Sequence, residues 1–209
     1  AGIPLESFPS MLARSLLVGR RSLVVAGTHG KTTTSSMLTW MLRVGGCDPS
    51  WMIGGVPQNL GRGSHLGGGE RIVLEGDEYD TAFFDKKSKF LHYQPRSAIL
   101  TSVEFDHADI FDSLEQVEQA FAEFVELIPA EGLLVVDAGN PGAMRAAAHA
   151  RCPVTTYRVL TRKDPVDLAT YTCRIKSRGA DRRSEFELFE RGESLGRFLT
   201  LIEGSYNLG

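Results

Sequence analysis

The segment from Val24 to Thr34 constrains the fold of this chain most, because it combines an apolar strand, a glycine turn and the start of a helix. Residues 22–26 form an apolar run typical of a β-strand, and Gly27 and Gly30 bracket the turn that follows. Lys31 then opens a predicted amphipathic helix that ends before Gly45. Apolar residues on one face of that helix predict its buried side: Met37, Leu38, Met41 and Leu42.

The glycine turn has the chemistry of a phosphate-binding loop. Glycines let the backbone approach a ligand closely, and the free N–H groups at a helix start favour an anion. Lys31 would add a full positive charge, and Thr32 a hydroxyl for Mg²⁺. Val25 stands where the P-loop pattern has its first glycine, so only the G-K-T half matches. A bare G-K-T after a strand is also compatible with an ordinary tight turn.

The rest of the chain predicts an α/β fold, a mostly parallel P-loop-type sheet flanked by helices. We expect a short helix and linker over residues 1–20, and a parallel α/β core over 21–153. Within that core the apolar runs predict strands at 51–53, 71–75, 97–102 and 133–136, and helices from 113 and over 140–150. Residues 154–204 are rich in β-formers and predict a small antiparallel sheet docked on the core.

Acidic residues follow two of the predicted strands. Glu75 opens the string E-G-D-E-Y-D, and Glu104 opens E-F-D-H-A-D, which contains His107. Because the carboxyl ends of parallel strands meet at one edge of a sheet, these groups can converge on the phosphate loop. Carboxylates beside phosphates need a cation between them, so Thr32 and Glu75 are candidate Mg²⁺ ligands. His107 is a candidate for holding a second metal or orienting a substrate, and a solvated acidic loop with a surface histidine is the alternative.

Composition excludes several classes of protein. A net charge of −3 leaves no basic surplus for general nucleic-acid binding. No apolar run approaches the roughly 18 residues of a membrane span. The three cysteines, Cys47, Cys152 and Cys173, match no zinc spacing and no disulfide framework, which favours a reducing cytoplasm. We expect a cytoplasmic protein with no nucleic-acid or membrane partner.

The strings G-T-H-G-K-T-T-T, E-G-D-E-Y-D and E-x-D-H-x-D together resemble the signatures of the Mur ligases, the ATP-dependent amino-acid ligases of peptidoglycan synthesis. The resemblance implies that residues 1–209 are a truncated central ATP-binding domain. It implies an ATP site that includes Gly27, Thr28, His29, Gly30, Lys31, Thr32, Thr33 and Asn207. It further implies Mg²⁺ bound by Thr32, Glu75 and His107, with Lys31, Glu75 and His107 as the catalytic set.

Within the family, residues 77–90 and 107–112 resemble the branch that joins L-alanyl-γ-D-glutamyl-meso-diaminopimelate to UDP-N-acetylmuramate through an acyl phosphate. Those two substrates, and amino- and carboxy-terminal domains of the same polypeptide, are therefore the implied partners. The rivals are the alanine-adding ligase, a P-loop nucleotide switch without ligase chemistry, and a domain used only for docking.

The sequence also departs from the family pattern at several positions. Ser102 replaces a usual asparagine, and Tyr206 replaces the histidine of a G-x-H-N motif. Residues 108–144 contain no lysine for the carbamylated position of several members. The roles of Asp77, Glu78 and Asp80, and of the run Lys86, Lys87 and Lys89, stay open.

Overall fold

The computed structural model describes residues 5–82, 85–105, 111, 113–160, 164, 169–178 and 183–201. The helices are α1 (Phe8–Leu12), which continues as a π-helical turn (Ala13–Leu17), α2 (Lys31–Val44), α3 (Leu114–Glu126) and α4 (Pro141–Ala147), with a 3-10 helix at Lys89–His92. The strands are β1 (Arg21–Ala26), β2 (Ser50–Met52), β3 (Ser64–His65), β4 (Arg71–Gly76), β5 (Asp80–Ala82), β6 (Asp85–Ser88), β7 (Ser97–Leu100), β8 (Leu133–Asp137), β9 (Val154–Leu160), β10 (Tyr171–Arg178), β11 (Ser184–Glu190) and β12 (Glu193–Thr200).

In the described part of the chain, ten strands form one sheet in the order β12-β11-β10-β9-β8-β7-β1-β4-β2-β3. The seven strands from β10 to β2 in this order are parallel to their neighbours. The two edges are antiparallel, since β3 pairs with β2 at one end and β11 and β12 extend the other. β5 and β6 pair with each other in a separate two-stranded antiparallel sheet.

Helices cover both faces of the sheet. Successive side chains of a strand point to opposite faces, so the cluster that each side chain joins shows which helix covers that face. On β4, Ile72 and Leu74 belong to the larger core cluster with α3 and α4, whereas Val73 faces the smaller cluster beneath α2. Ser113 is the N-cap of α3, and its hydroxyl accepts a hydrogen bond from Gln116 N at 3.4 Å.

The buried side of α2 differs from the predicted one. Leu38 and Leu42 do pack against the sheet, but Met37 and Met41 are 39% and 66% exposed. Ser35 and Thr39 take the buried positions instead. Small side chains there let the helix lie close to the sheet, and Thr39 Oγ1 is satisfied by donating to Ser35 O at 2.8 Å.

The predicted fold class is confirmed: a mostly parallel sheet flanked by helices, with antiparallel strands near the carboxyl end. One detail differs, because the C-terminal strands are hydrogen-bonded to the parallel sheet rather than docked on it. Leu134 of β8 pairs with Val154 of β9 across the boundary that was expected after residue 153. The backbone N–H and C=O groups at this edge of β8 therefore form hydrogen bonds with β9. In the part of the chain that the structure describes, no helix is long and apolar enough to span a membrane.

A substitution at Phe121 tests how much the packing of the larger core stabilises the fold. Its side chain is fully buried, and its ring centroid lies 5.2 Å from that of Phe90. We expect Phe121→Ala to lower the free energy of unfolding by about 3–5 kcal/mol, through lost transfer energy and a cavity. Leu127→Ala, at the 44% exposed end of the same helix, is the control and should cost much less. Equal losses in denaturant melts would contradict this account of the core.

Candidate functional site

The turn between β1 and α2 forms a cradle of backbone N–H groups. Gly27 and Gly30 have φ angles of 137° and 79°, a region that side chains with a Cβ rarely adopt. α2 begins directly after Gly30, and no side chain of the described residues caps it. The first turn of α2 therefore presents backbone N–H donors to a cavity of about 340 Å³, lined by residues 28–33 and Glu75. An anion fits this end of the helix dipole.

The end of β7 braces this cradle from one side. Thr28 N donates to Ser102 O at 2.9 Å, and the hydroxyls of Thr28 and Ser102 share a hydrogen bond of 2.9 Å. His29 N donates to Ser102 Oγ at 3.0 Å, while Thr101 Oγ1 donates to His29 O at 2.6 Å. The loop is therefore held in shape before any ligand binds, which lowers the entropic cost of binding.

Glu75, at the end of β4 on the opposite side of the cradle from β7, contacts the first turn of α2. The side-chain alternation of β4 places Glu75 on the same face as Val73, which is the face that α2 covers. Thr32 Oγ1 donates to Glu75 Oε1 at 2.7 Å, and Gly54 N donates to Oε2 at 2.8 Å. A hydroxyl and a carboxylate, both hard oxygen donors, thus lie together at the mouth of the cradle.

Lys31 lies at the floor of the cradle and is held by two acceptors. Its Nζ donates to Gly27 O at 2.7 Å and to Glu78 Oε2 at 2.9 Å. The Glu78 side chain is 1% exposed and that of Lys31 11%. The ammonium therefore stands inside the turn that carries the N–H groups, paired with a buried carboxylate.

The acidic loop after β4 is anchored by a second lysine. Lys89 Nζ lies 3.3 Å from Asp77 Oδ2 and 4.0 Å from the ring centroid of Tyr79. Burial, together with the neighbouring Asp77 carboxylate, raises the pKa of Tyr79, so its phenol stays protonated at neutral pH. Lys89, whose role the sequence left open, therefore belongs to a folded cluster.

A second cavity adjoins the cradle at His29. It has a volume of about 390 Å³ and is lined by the ends of β7, β8 and β9. His29 Nε2 lies 3.6 Å from Glu104 Oε2, and Glu104 Oε1 accepts from Asn140 Nδ2 at 3.1 Å. Burial raises the pKa of Asp137, against the opposing effects of the Gly139 N–H and the Arg158 charge. The cavity is lined mostly by polar residues and shares His29 with the cradle.

The structure brings most of the predicted site residues together. Gly27, Thr28, His29, Gly30, Lys31, Thr32 and Thr33 form the turn and first helical turn, and Glu75 contacts them. His107 and Asn207 lie outside the described residues, so their assignments stay predictions.

Sequence reasoning missed Thr101, named Ser102 only as a departure from the family pattern, and left the role of Glu78 open. The position of Ser102 at the end of a strand was the available signal, but only the pairing of β7 with β1 places it against the turn. The E-G-D-E string contains Glu78, yet nothing in the string says which carboxylate points inward.

A model of the Mur ligase middle domain matches residues 25–208. Among curated proteins, the UDP-N-acetylmuramate–L-alanyl-γ-D-glutamyl-meso-2,6-diaminoheptandioate ligase of Escherichia coli is 50% identical over 133 residues, covering 64% of this chain and 29% of its own length. The corresponding Haemophilus influenzae ligase is 46% identical over 142 residues, covering 68% and 31%. The UDP-N-acetylmuramate–L-alanine ligase of Salinispora arenicola is 38% identical over 193 residues, covering 91% and 35%. The chain thus spans about a third or less of the length of these relatives.

A solved structure gives the same family. The UDP-N-acetylmuramate:L-alanyl-γ-D-glutamyl-meso-diaminopimelate ligase from Neisseria meningitides superposes with a TM-score of 0.84 at 36% identity, over 99% of this chain and 63% of that one. A murein peptide ligase from Psychrobacter arcticus gives a TM-score of 0.77 at 32% identity, over 97% and 44%.

Gly27 tests the geometry of the cradle. An added Cβ at Gly27 would clash with Thr101 Oγ1 and with the backbone of Ser102, and its φ is already strained for other residues. We expect Gly27→Ala to displace the turn and to weaken binding of inorganic triphosphate or a nucleotide by about tenfold or more, measured by calorimetry. Gly46→Ala is the control, because Gly46 also has a positive φ of 79° but has open space around its Cβ position. Unchanged binding in Gly27→Ala would contradict the assignment of this turn as the anion site.

Proposed function

Because this chain belongs to the Mur ligase family as its middle domain, we propose that the polypeptide containing it is an ATP-dependent ligase that joins a murein tripeptide to UDP-N-acetylmuramate. The observation that carries the proposal is the convergence of Lys31, Thr32 and Glu75 on one uncapped helix start, within a chain of this family. The reaction forms an amide between a carboxylic acid and an amine.

The choice of the tripeptide-joining branch rests on similarity. Two ligases whose names include the L-alanyl-γ-D-glutamyl peptide are 50% and 46% identical to this chain over the matched residues, against 35–43% for six alanine ligases. The solved structure that superposes with a TM-score of 0.84 is also that of a ligase whose name includes this peptide. We therefore assign UDP-N-acetylmuramate and L-alanyl-γ-D-glutamyl-meso-diaminopimelate as substrates, with the alanine ligase as the alternative.

The triphosphate of ATP fits the cradle. The N–H groups of the first turn of α2 and the ammonium of Lys31 would neutralise the β- and γ-phosphates. The nucleoside then extends toward the second cavity, which shares His29 with the cradle. Its volume of about 390 Å³ lies within the range of small-molecule sites.

The donor set beside the cradle fits Mg²⁺. Thr32 Oγ1 and Glu75 Oε1 are oxygen donors 2.7 Å apart, and Mg²⁺ is usually held by one or two carboxylates, phosphate oxygens and water. No cluster of three or more His, Cys, Asp or Glu side chains that could hold a metal occurs among the described residues. The ion would therefore arrive with the nucleotide, held by Thr32 and Glu75, with His107 as a further candidate ligand. When bound, Mg²⁺ supplies charge neutralisation on the phosphate oxygens.

The proposed chemistry has two displacements. The carboxylate oxygen of UDP-N-acetylmuramate attacks the γ-phosphorus of ATP, the bond to the β-γ bridging oxygen breaks, and ADP leaves. The α-amine of the peptide then attacks the acyl carbon, inorganic phosphate leaves, and the nitrogen gives up a proton to form the amide. Lys31 and the backbone N–H groups hold the phosphates in line, which is the main demand of phosphoryl transfer.

The remaining parts of the site are assigned to the rest of the polypeptide. The relatives are about three times as long as the matched segment, since it makes up 29% and 31% of two of them. We propose that amino- and carboxy-terminal domains bind the UDP-sugar and the peptide. Free Cys47, Cys152 and Cys173 fit a reducing compartment, and a cytoplasmic location is part of the proposal.

A substrate panel on the full-length protein tests the function. With ATP, Mg²⁺ and UDP-N-acetylmuramate, we expect amide product and phosphate release with the tripeptide, followed by mass spectrometry and a phosphate assay. Omitting UDP-N-acetylmuramate should stop phosphate release, because the acid is the phosphoryl acceptor.

Each alternative has a distinct outcome in the same panel. Turnover with free L-alanine and none with tripeptide would assign the alanine ligase instead. ATP hydrolysis that needs no acid acceptor would indicate a nucleotide switch. Absence of Mg-ATP binding in a folded protein would indicate a docking domain.

A substitution at Glu75 tests its proposed role as a Mg²⁺ ligand. We expect Glu75→Ala to raise the Mg²⁺ concentration needed for half-maximal turnover by about tenfold or more, because one of the few protein oxygen ligands is lost. Asp48→Ala is the control, since its carboxylate accepts from Gly68 N at 2.7 Å on a different loop. An unchanged metal titration in Glu75→Ala would remove Glu75 from the ligand set.

A further inference from the structure

We infer that Glu78 is a positioning residue, which holds the ammonium of Lys31 at the floor of the cradle while the nucleotide is bound. The inference rests on the proposed function, because that function assigns Lys31 to the triphosphate. Glu78 makes no assigned contact with substrate or metal, so its effect passes through Lys31.

Burial makes the two side chains depend on each other. Glu78 is 1% exposed, and its Oε2 lies 2.9 Å from Lys31 Nζ. A carboxylate so far from water is stable only beside a cation and hydrogen-bond donors, because it has lost its hydration. Lys31 is 11% exposed and therefore reaches the edge of the cavity, whereas Glu78 lies behind it.

The geometry leaves Lys31 able to serve a phosphate without leaving Glu78. An ammonium group has three N–H donors. In the described part of the chain, contacts with Gly27 O and Glu78 Oε2 account for two of them, at 2.7 and 2.9 Å. The third remains for a phosphate oxygen, and the first two fix the position of Nζ.

A switch of Lys31 from Glu78 to the phosphates is disfavoured. Breaking a buried pair leaves an uncompensated charge, which costs more than the pair itself contributes. Glu78 would then stand unneutralised close to an incoming polyanion. The pair therefore persists in the complex, and Glu78 has two opposite effects: it fixes Lys31 for phosphoryl transfer, and its negative charge weakens nucleotide binding.

The loop that carries Glu78 has its own anchors, so Glu78 can be changed without releasing it. Asp77 Oδ2 contacts Lys89 Nζ at 3.3 Å, and Phe90 N donates to Asp77 O at 3.3 Å. Glutamine has the shape of glutamate and retains an acceptor oxygen, but it lacks the charge. Glu78→Gln therefore removes the ion pair and keeps the packing.

The experiment is a double-mutant cycle in the full-length protein with Glu78→Gln, Lys31→Met and the double variant. Mg-ADP affinity is measured by calorimetry, the thermal midpoint without nucleotide by scanning calorimetry, and kcat and KM for ATP by product formation. We expect Glu78→Gln to bind Mg-ADP about threefold or more tightly and to lose about tenfold or more in kcat, which is a split that lost folding would not produce. Lys31→Met should have the lowest thermal midpoint, and adding Glu78→Gln to it should recover part of the loss.

Glu187→Gln is the matched control, because Glu187 Oε2 lies 2.6 Å from Lys176 Nζ on β11, several strands from the cradle. This variant should match the wild type in Mg-ADP affinity. Weaker Mg-ADP binding by Glu78→Gln, or additive thermal losses in the double variant, would overturn the inference. A wild type that binds Mg-ADP but forms no amide would refute the proposed ligase, while the affinities and midpoints still decide the role of Glu78.

Discussion

The pairing of β1 with β4 on one side and β7 on the other is the constraint on which the site depends. Val25 pairs with Glu75 and with Ile99, so three strand ends stop at the same level of the sheet. The turn after β1 is thereby placed between an acidic loop and a hydroxyl-bearing loop. In parallel sheets a ligand lies beyond the carboxyl ends of the strands, where neighbouring connections leave in opposite directions. This arrangement accounts for the position of the cradle without reference to any ligand.

Charges at this edge are balanced locally before a ligand arrives. Glu75 accepts hydrogen bonds from Thr32 and Gly54, Asp77 pairs with Lys89, and Glu78 pairs with Lys31. Each carboxylate and its partners belong to different segments, so the ion pairs and hydrogen bonds also join those segments to one another. The uncapped start of α2 adds the positive end of the helix dipole at the cavity that its first turn lines.

Some polar side chains of this protein stabilise the fold in ways that the pattern of apolar residues does not predict. Ser35 and Thr39 lie on the buried face of α2, where larger residues would keep the helix away from the sheet. The Ser102 hydroxyl makes two hydrogen bonds to the turn, although its strand was predicted only from the apolar residues before it. Apolar periodicity located the strands and helices well, but it placed Met37 and Met41 on the wrong side of α2, since two apolar stripes of that helix compete.

By itself, the sequence determined the fold class, the strand–turn–helix unit and the family, because glycines at a turn, apolar runs and short motifs are local features. It also placed Glu75 near the turn, since strand ends of a parallel sheet share an edge. Tertiary structure alone decided that Glu78 reaches Lys31, that Thr101 and Ser102 brace the turn, and that the C-terminal strands continue the main sheet. Those outcomes depend on strand order and on which side chains exclude water, and both are set by contacts between residues far apart in the chain.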